Sequence, residues 1–158
     1  MTDSIAAKFP QLSSFDTSAV EWMDFEDDPN FNYPISYSIG ILGACPESGT
    51  VDFLGRWAPN SYCHFHRHLG DTTSLILEGE QHTVETVNGE SIHKVRRAGD
   101  YAQKPGGDVH MEYAGAEGSL VFFSMKAVDG KVFEVLANDQ TVLNATLYED
   151  FIAGKLPR

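Results

Sequence analysis

The sequence predicts an all-β protein with one domain, built as an antiparallel barrel or jelly roll. From Ile35 onward, short runs rich in β-branched and aromatic residues alternate with Gly, Pro, Asn and Asp, as expected of strands joined by turns. About ten such strands in one domain are typical of these two architectures. At 158 residues, of which 42% are hydrophobic, the chain can form one core but is too short for two domains.

An N-terminal arm precedes these strands. Residues 1–34 are predicted to be irregular, because Asp24–Asn30 forms a charged turn and Pro34 forces extended backbone at the residue before it. The arm is rich in aromatic residues, which predicts that it packs on the barrel or on a partner subunit. Residues 35–158 are predicted to form the barrel domain. We expect a homodimer, because the arm can cover the sheet edge of a second copy.

The barrel domain divides into ten predicted strands. They are Ile35–Leu42, Val51–Trp57, Tyr62–His68, Ser74–Leu77, Gln81–Val87, Ser91–Val95, Asp100–Gln103, His110–Tyr113, Leu120–Met125 and Val132–Leu136. Asn88-Gly89 predicts a two-residue hairpin turn between two of them. Asn144–Lys155 is predicted to be a short C-terminal helix, since its apolar residues lie at helical spacing.

The charge of the chain excludes several classes of partner. It carries 23 acidic and 11 basic residues, for a net charge of −12. A nucleic acid or an anionic membrane surface would repel such a chain. No apolar stretch approaches the roughly 20 residues of a membrane span, and the N-terminus lacks the pattern of a signal peptide. We therefore expect a cytoplasmic protein in which Cys45 and Cys63 are free thiols.

Histidines at alternate positions are the feature that most directly suggests chemistry. His64, His66 and His68 lie in one predicted strand, so their side chains share a face. Cys63 has the opposite parity and is expected to face away from them. His110 lies about forty residues further on. Because neutral imidazole is the commonest protein ligand of transition metals, two of the strand histidines and His110 can close on one divalent ion.

The spacing around these histidines defines a motif. Asn60 is followed by five residues, His66-x-His68, three residues, Thr72, six residues and Gly79. This segment resembles the first motif of the cupin superfamily. That motif has Gly at the position of Asn60 and Glu at the position of Thr72.

A second segment resembles the other cupin motif. It consists of Gly99, five residues, a Pro-Gly-Gly turn that begins at Pro105, two residues and His110. It departs from the motif only at the last position, where Ala114 replaces Asn. The resemblance covers about residues 50–127 and implies the cupin fold, a double-stranded β-helix or jelly-roll barrel.

The resemblance also implies which histidines bind the metal. Motif spacing assigns His66, His68 and His110 as the ligands. His64 would need different spacings on both sides, so we expect it to line the cavity or to hydrogen-bond a ligand histidine.

The motif glutamate is absent. Thr72 occupies its position, and Asp71 stands beside it, but a strand would need a bulge to turn Asp71 toward the ligand face. We therefore favour a site of three histidines over one of three histidines and a carboxylate. Three neutral imidazoles leave a divalent metal its full +2 charge, which attracts an anionic enolate.

Small cupins without this glutamate include 2,4'-dihydroxyacetophenone dioxygenase and the acetylacetone-type β-diketone dioxygenases. The segments in which this chain resembles them include Arg56–Asn60, Leu77–Gly79 and Pro105–His110. The resemblance implies a non-haem dioxygenase, with Fe(II) as the expected cofactor. Its partners would be O₂ and a small-molecule substrate, a β-diketone or a hydroxyketone, in which it cleaves a carbon–carbon bond.

Carboxylates outside the motifs are candidates for further roles. Glu85 lies where the dioxygenases look similar and is the candidate catalytic residue, acting as a proton acceptor. Glu112 shares parity with His110 on the predicted strand, so it can also face the cavity.

Two other functions stay open from the sequence. The chain also resembles the cupin domain of bacterial anti-sigma factors, which keeps the motif glutamate and binds zinc. A metal- or ligand-binding sensor without turnover is therefore one alternative. A zinc-dependent isomerase or hydrolase is the other. Zinc and nickel are alternatives to Fe(II), because imidazole suits all three metals.

Overall fold

Glycine- and asparagine-rich turns divide the chain into ten strands and one helix in the computed structural model, which describes residues 15–157. The elements are β1 (Trp22–Phe25), β2 (Tyr37–Cys45), β3 (Thr50–Trp57), β4 (His66–His68), β5 (Thr72–Val87), β6 (Glu90–Arg97), β7 (Tyr101–Lys104), β8 (Val109–Lys126), β9 (Lys131–Leu136), β10 (Val142–Leu147) and α1 (Tyr148–Ala153). Across the described range, no helix has the length and apolar character that a membrane crossing requires.

All ten strands join one sheet, which confirms the all-β prediction. The order along the main path is β1-β2-β3-β8-β4-β9-β10, and β5 pairs with β6, β7 and β8. The long strand β8 changes partner along its length. Its first residues pair with β4, its last eight pair with β3, and β5 follows it from His110 to Met125. This exchange of partners brings β4 beside the start of β8, where the second motif lies.

Two pairs of predicted strands are continuous in the structure. Ser74–Leu77 and Gln81–Val87 both belong to β5, because the chain passes Gly79 through a bulge rather than a turn. Gly79 has a φ of 79°, and a Cβ atom there would lie 2.1 Å from the carbonyl oxygen of Gly118. The bulge therefore requires glycine. The predicted strands His110–Tyr113 and Leu120–Met125 likewise belong to one strand, β8.

The predicted hairpin is confirmed. Asn88 and Gly89 connect β5 to β6 with φ values of 52° and 80°, which is the positive-φ pair that a type I′ turn requires. Asn60, which replaces the first glycine of the first motif, also has a positive φ of 56°. Asparagine tolerates this conformation better than most residues, which explains why the substitution is compatible with the motif.

The arm contains a strand that the sequence did not predict. Trp22–Phe25 pairs antiparallel with β2, so this part of the arm is not irregular. The strand was not predicted because it contains Asp24, and acidic residues are rare in strands. In the fold, the hydroxyl of Ser38 on β2 donates to the Asp24 carboxylate. Phe25 and Phe31 are buried in the hydrophobic core. Residues 1–14 of the predicted arm lie outside the described residues.

The C-terminal helix is shorter than predicted. Its predicted first residues form β10, which pairs with β9, and the helix itself spans Tyr148–Ala153. It ends at Gly154, whose φ of 70° is typical of a helix C-terminus. Phe151 buries its ring in the core against Phe53, at a ring-centroid distance of 5.3 Å.

Candidate metal centre

Strands β4 and β8 bring three histidines together. His66 and His68 lie on the same face of β4, and His66 pairs directly with His110 on β8. All three are buried, and their nearest ring nitrogens lie within 4.8 Å of one another. Nε2 of His66 is 2.9 Å from Nε2 of His68. The structure thus gathers the three histidines that motif spacing selected into one group that can hold a metal ion.

The Pro-Gly-Gly turn of the second motif holds β4 in place. The backbone N–H of Gly107 donates to the carbonyl of His68 at 2.7 Å, and the N–H of His68 donates to the carbonyl of Asp108 at 2.9 Å. A Cβ atom on Gly106 would lie 2.2 Å from the carbonyl oxygen of Leu69. The turn therefore needs glycine so that its backbone can approach the histidine strand.

Two of the histidines are anchored through Nδ1 to groups that only accept hydrogen bonds. Nδ1–H of His66 donates to the backbone carbonyl of His64 at 2.6 Å. Nδ1–H of His110 donates to the carboxylate of Asp108 at 3.0 Å. Because both acceptors lack a proton to give, Nδ1 carries the proton in each ring, and Nε2 faces the cluster.

Thr72, which stands in place of the motif glutamate, anchors the third histidine. Its Oγ1 lies 2.8 Å from Nδ1 of His68 and 3.4 Å from the carbonyl oxygen of Gly70. The hydroxyl donates to that carbonyl and accepts from Nδ1–H of His68. The residue that cannot be a carboxylate ligand therefore orients a ligand histidine.

These anchors explain why the group fits a metal. With Nδ1 protonated, the Nε2 atoms of His66 and His68 present lone pairs to each other at 2.9 Å. Two lone pairs at this distance repel unless a cation lies between them. A divalent ion with bonds of about 2.1 Å holds neighbouring ligand atoms about 3.0 Å apart in octahedral and about 3.4 Å apart in tetrahedral geometry.

The pKa values of the three histidines are shifted in different directions. Desolvation, reinforced by the neighbouring His110, lowers the pKa of His66 to about 4 and holds that of His68 well below its usual range. Burial would also lower the pKa of His110, but its hydrogen bonds with Asp108 and Glu112 outweigh burial and raise it to about 9. Two of the imidazoles are therefore neutral at pH 7, as metal ligands must be.

Glu112 lies next to the histidines, as its parity with His110 predicted. Its Oε1 is 3.1 Å from Nε2 of His110 and 3.8 Å from Nε2 of His66. The side-chain amide of Gln81 donates to Oε2 at 2.9 Å, and Gln81 in turn accepts from Ser119. Burial alone would raise the pKa of Glu112, but the contact with His110 outweighs it and lowers the pKa to about 2.

The other two carboxylates considered from the sequence lie elsewhere. Glu85 is buried on β5 opposite His110 and forms an ion pair with Lys104, while Lys94 lies 3.8 Å away. It belongs to a neighbouring group with His110 and Asp108. Asp71 is exposed and takes no part in the histidine group, so the bulge that would bring it there does not form.

The expectation for Cys63 fails and that for His64 holds, although β4 begins at His66 rather than at Tyr62. Cys63 was predicted to face away from the histidines, which is wrong. Its Sγ lies 3.8 Å from Nδ1 of His66, and burial raises its pKa well above the usual range. His64 lines a cavity, and its Nδ1 is 2.8 Å from the hydroxyl of Tyr37. Strand parity does not apply to either residue.

Two cavities meet at the histidine group. The larger, of about 460 Å³, is mainly apolar. Its aromatic side chains are Tyr37, Phe53, Trp57, Phe123 and Phe133. The smaller, of about 340 Å³, has a mixed polar and apolar surface. Its charged side chains other than the histidines are Glu85, Arg96, Lys104, Asp108 and Glu112. His68 and Glu112 line both cavities, so the group separates an apolar chamber from one lined by charged side chains, which we call the polar chamber.

Sequence reasoning missed the partners that orient the site. Asp108 precedes His110 by two residues, so its shared parity was a signal that could have found it. Gln81 carried no such signal, because it meets Glu112 only through the register of β5 with β8. The contact of Cys63 with His66 depends on where β4 begins.

Comparisons with known proteins agree with this architecture. A cupin from Rhodospirillum rubrum superposes with a TM-score of 0.64 at 15% identity, covering 83% of this chain and 84% of that one. An RmlC-like cupin from Ralstonia eutropha gives 0.64 at 14% identity, covering 91% and 84%. An acetylacetone dioxygenase from Acinetobacter johnsonii gives 0.61 at 14% identity, covering 92% and 99%. At these identities the likeness shows the fold.

Comparisons of the sequence itself identify the family. No curated protein matches the chain. A family model described as the ChrR cupin-like domain matches residues 11–129, which is most of the chain, and the protein therefore belongs to this cupin family.

Proposed function

We propose that the protein is a metal-dependent dioxygenase that uses O₂ to cleave a carbon–carbon bond of a β-diketone or hydroxyketone. One observation carries the proposal. Three anchored imidazoles direct Nε2 toward a common point at the wall of an aromatic cavity. Membership of a cupin family and similarity of fold to an acetylacetone dioxygenase support it.

In this proposal His66, His68 and His110 hold Fe(II). A divalent metal bound there would supply Lewis-acid polarisation of the substrate's oxygens. The histidines hold their donor atoms ready, because hydrogen bonds at Nδ1 fix each ring before the ion arrives. Imidazole also suits zinc and nickel, and iron is proposed because the reaction consumes O₂.

The apolar cavity supplies the binding energy for the hydrocarbon part of the substrate. Small-molecule sites are mostly apolar with a few polar groups that fix orientation, and this cavity combines an aromatic lining with the histidines at its wall. Trp57 and Phe123, whose rings lie 6.2 Å apart, offer flat faces on which an aryl group can pack. We therefore propose an aryl-substituted ketone, similar to a hydroxyacetophenone or a benzoyl diketone, as the substrate class.

Glu85 is the proposed proton acceptor. It lines the polar chamber together with His68 and His110, and the Lys104 ammonium fixes its carboxylate. It would accept the proton that a diketone loses on forming its enolate. The Glu85→Gln variant is expected to keep the metal affinity of the unmodified protein and to lose turnover.

The overall reaction balances without a further reductant. A β-diketone and one O₂ give a carboxylic acid and a 2-oxoaldehyde, since each of the two carbons that part receives one oxygen atom. The test is O₂ uptake by Fe(II)-loaded protein with acetylacetone, benzoylacetone and 2,4'-dihydroxyacetophenone, with product analysis by mass spectrometry. His110→Ala, treated in the same way, is the control. Absence of O₂ uptake with the whole panel would overturn the proposal.

A second function is a metal- or ligand-binding cupin without turnover. The match to the ChrR cupin-like domain favours it. It predicts that the protein retains zinc through purification, binds an aryl ketone in the apolar cavity and consumes no O₂ when iron replaces zinc. Metal analysis followed by the O₂ measurement separates the two functions.

A further inference from the structure

Glu112 is a buried carboxylate at the centre of the histidine group. It lies two residues after His110 on β8, so both side chains share a face of the strand. It is 5% exposed and lines both cavities. The first cupin motif would place its carboxylate at position 72 on β5, where this chain has a threonine. A carboxylate is therefore present at the site, but on a different strand.

Glu112 lies close to two of the three histidines. Its Oε1 lies 3.1 Å from Nε2 of His110 and 3.8 Å from Nε2 of His66, while Nε2 of His66 and His68 are 2.9 Å apart. Neighbouring donors around an ion with bonds of about 2.1 Å are separated by about 3.0 to 3.4 Å. The distance from Glu112 to His110 falls in this range and the distance to His66 lies just above it, so Glu112 can share an ion with these two histidines after a small movement toward the centre of the group.

The surroundings of Glu112 prepare it for this role. The Gln81 amide binds Oε2, which leaves Oε1 directed at the histidines. Cys63, the other potential donor nearby, contacts His66 on the Nδ1 side, which is the anchored side and not the side of the converging Nε2 atoms. Glu112 is thus the side chain best placed to add a fourth ligand.

We propose that Glu112 is the fourth metal ligand and replaces, from the second motif strand, the carboxylate that the first motif has lost at Thr72. This inference rests on the proposed metal centre. It assigns the protein a divalent ion with three imidazoles and one carboxylate, which lowers the net charge of the centre from +2 to +1. It also predicts a preference for harder ions such as Fe(II), Mn(II) and Zn(II) over Cu(I).

The test measures Co(II) binding to the full-length protein after removal of metal with a chelator. Glu112→Gln keeps the size and the contact with Gln81 but lacks the charge. We expect its Co(II) affinity to fall by about 100-fold or more, since loss of even an outer contact to a ligand costs about 10- to 100-fold. The visible absorption of bound Co(II) is expected to change as well, because the ligand set changes.

Glu134→Gln is the matched control. Glu134 is a partly buried carboxylate on β9, next to β4, but it pairs with Arg67 and points away from the histidines. Its Co(II) affinity is expected to stay within about threefold of the unmodified protein. An affinity and a spectrum of Glu112→Gln that match those of the control would overturn the proposal.

Thermal melting shows whether Glu112→Gln folds. If it does not fold, a second measurement tests the proposal on protein that keeps Glu112. Protein labelled with ¹³C at its glutamate carboxyl groups is titrated with Zn(II). The carboxyl signal of Glu112, assigned by its loss in Glu112→Asp, is expected to shift with one equivalent of metal, and an unshifted signal would overturn the proposal. Unmodified protein that binds neither ion would instead overturn the metal centre itself, so the two failures are distinct.

Discussion

The molecule carries two groups of histidines on one sheet, and they differ in how the ring nitrogens are used. In the buried group of His66, His68 and His110, each Nδ1 donates to an oxygen and each Nε2 faces the centre. In the outer pair, Nδ1 of His82 lies 2.7 Å from Nε2 of His93, and Nε2 of His82 lies 2.6 Å from Glu80. Both nitrogens of His82 are therefore occupied.

The outer pair is organised by stacking instead. The ring of His82 lies 4.5 Å from that of Tyr113 and nearly parallel to it, and His93 is exposed beside them. The hydroxyl of Tyr113 reaches His93 at 3.2 Å. The comparison shows that proximity of histidines does not make a metal site. What distinguishes the buried group is that the anchors at Nδ1 turn all three Nε2 atoms inward, toward one another and toward Glu112.

The largest expected effect concerns the buried group. Replacing His110 with Ala removes one of the converging nitrogens and leaves Asp108 and Glu112 facing each other without the ring between them. We expect the Zn(II) affinity to fall by more than about 1,000-fold, beyond the roughly 10- to 100-fold cost of losing an outer contact. Competition with a chromophoric chelator measures it. His82→Ala is the control from the outer pair. An equal loss of Zn(II) affinity in both variants would show that the buried group does not differ from the outer pair in metal binding.

The second prediction concerns pH. Unfolded His66 takes up a proton below about pH 6.5, but folded His66 does so only near its pKa of about 4. The unfolded state therefore binds more protons in this window, and the free energy of unfolding of metal-free protein should fall as pH falls from 6.5 to 4. At about 1.4 kcal/mol per pH unit, His66 accounts for about 3 kcal/mol.

Urea unfolding at a series of pH values checks this slope. His66→Gln should lose the contribution of one proton. If the full slope survives in His66→Gln, the pKa of His66 is not lowered in the folded protein.

The third prediction concerns the anchor of His110. Asp108→Ala leaves Nδ1–H of His110 without its acceptor, so the ring loses its fixed tautomer and orientation. The Zn(II) affinity should fall by about 10- to 100-fold. Asp139→Ala, which removes an exposed carboxylate that caps a turn, should leave it unchanged. An Asp108 variant with full affinity would mean that packing alone orients the ring.

The same contrast shows what the sequence could predict. Strands and the Asn88-Gly89 hairpin followed from turn chemistry and period-two patterns, which are local properties. The three buried histidines were selected by the resemblance to the two cupin motifs, which are also read from local spacing in the sequence. The strand of the arm escaped prediction, because Asp24 is compatible with a strand only through its contact with Ser38, a residue fourteen positions away.

The parts of the site that could not be predicted depend on register. Glu112 meets Gln81 because β5 and β8 pair after two bulges, at Ile76–Glu78 and at Gly79–Gln81, and each bulge changes which residues lie opposite one another. Cys63 meets His66 because β4 begins only at His66. Alternation along a strand cannot reveal a partner on another strand, or the residue at which alternation starts.

The smallest expected effect concerns Thr72, where an anchor is a hydroxyl rather than a carboxylate. Thr72→Val keeps the shape of the side chain but removes the oxygen that accepts from Nδ1–H of His68. The buried N–H is then unpaired, which costs about 1–3 kcal/mol of stability, and the Zn(II) affinity should fall by about tenfold. Thr72→Ser retains the hydroxyl and should retain the affinity. Tyr113→Phe removes the hydroxyl beside the outer pair. It should leave the Zn(II) affinity unchanged, because His82 needs no such anchor. If Thr72→Val binds as tightly as Thr72→Ser, the threonine only fills the position of the lost glutamate, and His68 is oriented by the backbone contacts of the Pro-Gly-Gly turn instead.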